Sequence, residues 1–267
     1  LVLDDIVSNR TRRALVRLKT GNLGAINADL AGFLTAWLTA TEDSDAGLAA
    51  LNDLPARRQL AGEQACMKGL ILLSAGRDDE ALAAFEQAAR LPLGAADFLM
   101  SLRARVLAAN GDKAGARKLI EMQIEETGAT SETDYVLRLI DGDAPVERPR
   151  IGARQGAAIA IYLSSADGIA RSSPELSTMR QSLALYLDPA LAPARLLLAD
   201  ALNEQGRTED AIAALAEIPA DSGWAASARL QQAWFHDRLE RPVEALAAAE
   251  QALAAARRRE ILSGVAD

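Results

Sequence analysis

One cysteine, Cys66, and one histidine, His236, are all that this chain offers of the two side chains that most often ligate metals or carry nucleophilic and acid–base chemistry. A single cysteine cannot close an intramolecular disulfide, so cysteine usage does not assign a compartment. A triad or a metal centre needs several groups converging, and H-E-x-x-H, C-x-x-C and a second histidine are all missing. No catalytic residues, metal or cofactor are expected. His236, in QQAWFHDRLER, falls at a position expected to face inward and reads as a structural imidazole. Cys66, in AGEQACMKGL, lies on an apolar helical face where thiols are inert.

Other absences narrow the field further. No run of about 18 apolar residues exists, so no segment reads as a membrane span. GNLGA at 21–25 lacks the Walker spacing and its Lys-Ser/Thr, and reads as a loop. Ser164–Ser165 and Ser172–Ser173 flank a helix–helix turn without a G-x-S-x-G elbow, and Ser173 before Pro174 and Glu175 reads as a helix start. The net charge is −8, which is not the basic footprint of a nucleic-acid binder. The local basic clusters, Arg10/Arg12/Arg13 and Arg257–Arg258–Arg259, do not change that balance, and the second reads as a solvated helix end. The chain begins with Leu1 and shows no signal peptide, so it reads as a fragment or a processed product.

What the chain has in abundance is alanine, within a composition that is 50% hydrophobic and only 4% aromatic. Small apolar residues suit closely packed helices, and strand-like alternation is scarce. The expected class is all-α. GRDDEALAAFEQAARLP at 76–92 is echoed by GRTEDAIAALAEIP at 206–219. In each, a glycine turns the chain (Gly76, Gly206), acidic residues open a helix, and a proline closes the unit (Pro92, Pro219). A small residue recurs at Gly47, Ala81 and Ala116 and again at Ala211 and Ala245, at spacings of 34, 35 and 34. A period in the thirties marks a solenoid of helix pairs, in which each pair buries its apolar face only against its neighbours.

These residues resemble the tetratricopeptide repeat (TPR) family. The best unit has Gly69 and Leu72 on its first helix, Gly76 at the turn, and Ala81, Phe85 and Ala88 on its second. A later unit offers Leu198, Ala199, Leu202, Gly206, Ala211, Leu215 and Ile218. The unit near 226–256 has Ala233, Ala245 and Ala252, with Glu240 in place of the turn glycine. Unit 97–127 keeps Ala104, Leu107, Gly111 and Ala116, and unit 28–55, with Trp37, Leu38, Gly47 and Leu51, is weaker. The resemblance implies a right-handed α-solenoid of antiparallel helix pairs, with about five full repeats and an N-terminal remnant over residues 1–19. IDGDAPVERPRIG at 140–152 interrupts the period with two prolines and two glycines. The expected division is therefore an N-terminal array over 1–139, a linker over 140–153 and a C-terminal array over 154–267. Residues 154–169 and 175–187 read as one more helix pair.

The resemblance also implies a function. First helices of TPR arrays line a concave groove that holds a protein or peptide, and by register the outward positions here include Glu63, Leu70, Arg105, Asp200, Asn203, Trp234, Asp237 and Arg238. Trp234 and Arg238 are the natural anchors, since Trp and Arg dominate interface energetics, although Trp234 could equally fill inter-repeat core. The Lys and Asn clamp of chaperone-tail binders is missing: Leu196 and Asp200 stand there in one repeat, Cys66 and Leu70 in another. The leading expectation is a non-catalytic scaffold that helps assemble a larger complex. The alternative is the helical accessory region of a bacterial cell-envelope enzyme. Self-association through an open apolar end such as LVLDDIV is a third expectation. A looser likeness to long alphaproteobacterial envelope TPR proteins, with 25 Arg against four Lys, favours a periplasmic or envelope location over a cytoplasmic one.

Overall fold

The computed structural model describes residues 1–20, 27–166 and 173–263, with side chains for 1–20, 27–164 and 173–256. Among these residues there are fifteen α-helices, one short 3-10 turn and no strand. The loop reading of 21–25, Ser172, and the side chains of Ser165 and Arg257–Arg259 lie outside the described residues.

The chain divides into two compact units, each discontinuous in sequence. The first, Leu1–Leu99 with Pro149–Leu191, holds α1 (Val2–Val7), α2 (Thr11–Thr20), α3 (Ala28–Ala40), α4 (Ser44–Asn52), α5 (Ala61–Ser74), α6 (Asp78–Ala89), the start of α7 (Ala96–Ala109), α10 (Ala153–Ala166) and α11 (Pro174–Leu187). The second, Met100–Arg148 with Ala192–Asp267, holds the rest of α7, α8 (Lys113–Thr127), α9 (Ser131–Asp141), α12 (Ala192–Glu204), α13 (Thr208–Ala216), α14 (Ala225–Arg238) and α15 (Pro242–Ser263).

Five helix pairs carry the periodic small residue, always as the fourth residue of the second helix: Gly47 in α4, Ala81 in α6, Ala116 in α8, Ala211 in α13 and Ala245 in α15. The size limit is steric. A Cβ on Gly47 would sit 2.3 Å from the Ala40 Cβ, and one on Gly69 2.3 Å from the Phe85 ring, closer than packed carbons tolerate. The pair α10/α11 is a further one, lacking this signature. α9 is single, and it packs on α8, α14 and α15.

Turn chemistry follows the same frame. Gly76, Gly111 and Gly206 take φ of 77°, 93° and 76°, the left-handed cap conformation that costs glycine nothing. The Arg77 and Arg207 amides then donate back to the carbonyls of Leu72 and Leu202, both at 2.9 Å. At the last pair Glu240 adopts φ 58°, and the Arg241 amide donates to His236 at 3.0 Å, so the same turn is made without glycine. The helix start expected at Ser173 is capped, its hydroxyl accepting from the Leu176 amide, and Asp112 likewise accepts from the Gly115 amide.

Residues 142–152 are free of helix, but the compact units do not follow chain order on either side of them. α10 returns to pack on α3 and α5, and α11 and α10 both touch α1. The physical reason centres on Trp37. Its indole is buried (1% exposed), its Nε1 donates to the Ala153 carbonyl at 2.9 Å, and its ring occupies the space where a Cβ on Gly156 would be, 2.0 Å away. Phe98 meets Tyr162 edge-to-face with centroids 5.7 Å apart. Tyr186 donates to Asp4 at 2.8 Å. The apolar start of the chain is covered as well, since Val2, Leu3 and Ile6 are buried rather than open.

Candidate functional site

Four of the expected groove residues occupy one place in the repeat. Leu70, Arg105, Asp200 and Trp234 each follow the small first-helix residue, Gly69, Ala104, Ala199 or Ala233, and stand six residues before the turn. Their surroundings differ sharply. Leu70 is fully buried, Arg105 is half-buried with its Nε lacking a hydrogen-bond partner, Asp200 is exposed, and Trp234 is 64% exposed. Glu63, one helical face with Leu70 on α5, is also fully buried. These two therefore offer no surface to a partner; in the same unit α10 packs on α3 and α5.

The remaining residues gather on α12 and α14 of the second unit. The Gln231 amide donates to the Asp200 carboxylate, which joins the two first helices directly. On α14, Gln231, Trp234, Asp237 and Arg238 follow one another at helical spacing, so they share a face. Asn203 is one turn beyond Asp200, and its side-chain oxygen accepts from the Thr208 hydroxyl at 3.0 Å. Asp237 and Arg238 are exposed, and Asn203 is half-buried.

The opposite face of α14 is anchored to α13 and its C-terminal end. Arg229 reaches the carbonyls of Leu215 and Ile218 at 3.3 and 3.2 Å and the Gln232 side chain at 2.8 Å, and Gln232 donates to Ile212 at 2.9 Å. Below these bonds, Ala228 and Phe235 enter an apolar cluster with Ala199, Leu202, Ala211 and Leu215. Arg241 holds Glu209 at 2.5 Å, and this hydrogen bond lowers the Glu209 carboxyl below its ordinary value. With one face fixed in this way, the Trp234 ring is left to solvent, which decides between the two readings of this residue in favour of surface.

Leu230, one turn before Trp234, is 51% exposed and widens the apolar part of the face. Leu230 and Gln231 were not foreseen from sequence, although Leu230 stands at i,i+4 spacing from Trp234 and could have been read from it. Val243, Leu246 and Leu253 are exposed on α15.

The residues weighed for chemistry are placed plainly. Cys66 is fully buried, and burial first, then the nearby Glu63 carboxylate, pushes its thiol up to about 12, far from a reactive thiolate. His236 is half-buried on α14. Among the described residues no group of three His, Cys, Asp or Glu could hold a metal, and no helix is long and apolar enough to cross a membrane.

Residues 65–92 match the family model for the tetratricopeptide repeat. They comprise most of α5, the Gly76 turn and α6, so this helix pair is a tetratricopeptide repeat, and the chain resembles proteins built from them. Among solved structures, MamA is 13% identical over 72% of this chain and 96% of its own, with a TM-score of 0.33. TTC0263, a thermophilic TPR protein of Thermus thermophilus, is 21% identical over 73% and 92%, with a TM-score of 0.30. YrrB, whose structure is described as that of a TPR protein with an unusual peptide-binding site, is 15% identical over 72% and 84%, with a TM-score of 0.31. No curated protein matches the sequence.

Proposed function

We propose that the chain is a non-catalytic interaction scaffold that holds a peptide segment of a partner protein against the α12/α14 face of its second unit. The observation that carries this reading is Trp234: a large aromatic side chain, 64% exposed, on a first helix whose other side is fully engaged. An exposed tryptophan with an apolar neighbour and a polar border is the composition of an interface anchor and its rim. Leu230 extends the apolar strip, while Asp200, Asp237 and Arg238 supply charge around it. The tetratricopeptide match at 65–92 supports a protein-binding role, since such arrays present helix faces that no further repeat covers. Assembly of a larger complex would follow from holding one partner while other surfaces stay free.

The test is a selection of random peptides on the purified chain, followed by affinity measurement on the selected sequences. Trp234→Ala should weaken them by about 30-fold or more, the loss typical of an interface hot spot at roughly 2 kcal/mol. Asp200→Arg with Asp237→Arg should change which peptides are selected. Peptides that bind the Trp234→Ala protein as well as they bind the unaltered one would remove this face from consideration.

A further inference from the structure

Within the second unit, one helix pair shows what covers the outward side of a second helix. α14 packs on α13. Ala228 and Phe235 of α14 enter the apolar cluster around Ala211 and Leu215, and Ile212 packs against that cluster half-buried. Gln232 donates to the Ile212 carbonyl at 2.9 Å, and Arg229 lies over the end of α13, donating to the carbonyls of Leu215 and Ile218. Gln231 reaches back to Asp200 on α12. One first helix thus touches both helices of the pair before it.

The next pair carries the same frame 34 residues on, Ala211 and Ala245 being equivalent. Ile212 becomes Leu246, Asp200 becomes Trp234, and residues 215–218 become 249–252, where Glu250 stands exposed. α15 packs on α14 and α9, yet on its outward side Val243 is 76% exposed, Leu246 62% and Leu253 48%. With Ala247, Glu250 and Ala254, which are exposed too, they form one stripe at helical spacing. Single exposed apolar residues are ordinary, but a continuous stripe of them marks an interaction surface.

The α13/α14 interface specifies the occupant. It is a helix, because the face that the stripe repeats is covered by one. It carries a small residue and, seven positions on, a large apolar one, as Ala228 and Phe235 do, so that its backbone comes close beside Leu246. Next to the small residue stands a basic one, as Arg229 does, and here it meets the Glu250 carboxylate. A second copy of this chain suits the stripe poorly. α12 and α14 already bury their apolar sides against α13, and two stripes face to face would bring two Glu250 carboxylates into one interface, where like charges oppose pairing. We propose that the α15 stripe is the docking surface for one amphipathic helix of a partner protein, seated across Trp234 and Leu246 as α14 is seated across Asp200 and Ile212. The inference rests on the function proposed above for its contact at Trp234, whereas Leu246, Glu250 and Leu253 belong to it alone.

The probe is the sequence of α14 itself as a free peptide, residues 224–239, with its outward positions 230 and 234 joined by a hydrocarbon staple that keeps it helical. Its other side already fits the equivalent face of α13. Fluorescence anisotropy with the whole chain should show saturable binding. Leu246→Asp should weaken it by about tenfold or more, because a carboxylate then enters a desolvated apolar contact. Leu246 is exposed, so this change leaves the fold intact. Glu250→Lys should weaken the peptide by about fivefold, and Arg229→Glu in the peptide should restore binding to that variant, a charge exchange that only direct pairing produces. Absence of peptide binding, or binding indifferent to Leu246→Asp, would overturn the proposal. A dimer in sedimentation that Leu246→Asp abolishes would also overturn it, by assigning the stripe to a second copy. Loss at Leu246→Asp with no response to Trp234→Ala would leave the docked helix standing while the Trp234 reading fails; loss at Trp234→Ala alone would do the reverse.

Discussion

Leu70 of the first unit and Trp234 of the second hold the same place in the helix-pair repeat, yet one has no surface and the other is 64% exposed. Local structure does not separate them. Both follow a small buried residue, and both lie six residues before a left-handed turn. The difference is tertiary: in the first unit α10, from a segment far along the chain, packs on α3 and α5, whereas Asp200 and Trp234 on α12 and α14 are exposed. A repeat position fixes the direction in which a side chain points. What it meets there is decided by whatever else the chain brings back.

The largest effect that tests this comparison belongs to Trp37. It joins α3 to α10 through the Ala153 carbonyl and the ring contact at Gly156. Trp37→Ala should cost about 3–5 kcal/mol, the range for truncating a fully buried large aromatic. Urea unfolding followed by circular dichroism would measure it. A loss below about 1 kcal/mol would mean that α10 is held in place by other contacts, and the account of the covered face would need a different centre.

Next in size is the direct exchange between the two equivalent positions. Leu70→Ala should destabilise by about 2–5 kcal/mol, as other buried leucines do, while Trp234→Ala should change stability by no more than about 0.5 kcal/mol. Peptide affinity should respond in reverse, with the large loss at Trp234. Equal stability losses at the two sites, in the same unfolding assay, would break the comparison outright.

Much of this architecture was legible in the sequence, because the features that set it are local. The period of small residues, the turn glycines at Gly76 and Gly206, and the cap at Ser173 each act within one helix pair. The burial of Glu63 and Leu70 was not legible, since α10 is about 90 residues away and no local pattern announces where a helix pair will dock. Leu70 did carry a hint: it sits in the apolar run GLILL, whereas its counterparts at 105 and 200 are charged.

The smallest predicted effect concerns the turns, where the two units again solve one problem differently. Gly76 in the first unit has φ 77°, and Glu240 in the second makes the equivalent turn at φ 58°. A side chain in the left-handed region costs about 1–2 kcal/mol, so Glu240→Gly relieves strain. Glycine also widens the unfolded ensemble, which opposes that gain by about 0.4–1 kcal/mol. The net stabilisation should then be under about 1 kcal/mol, a rise of only about 2–4 °C in melting temperature for a chain of this size. Gly76→Ala removes the advantage without adding a steric clash, because nothing lies within 4 Å of a Cβ there. It should lower stability by under about 1 kcal/mol, the backbone strain being offset in part by the narrower unfolded ensemble of alanine. Opposite signs for these two substitutions, measured by thermal unfolding, would show that the turns share one conformational requirement. If Glu240→Gly lowered the melting temperature instead, the Glu240 side chain would have to be stabilising the last helix pair by more than its backbone strain costs, and the equivalence of the two turns would be limited to geometry.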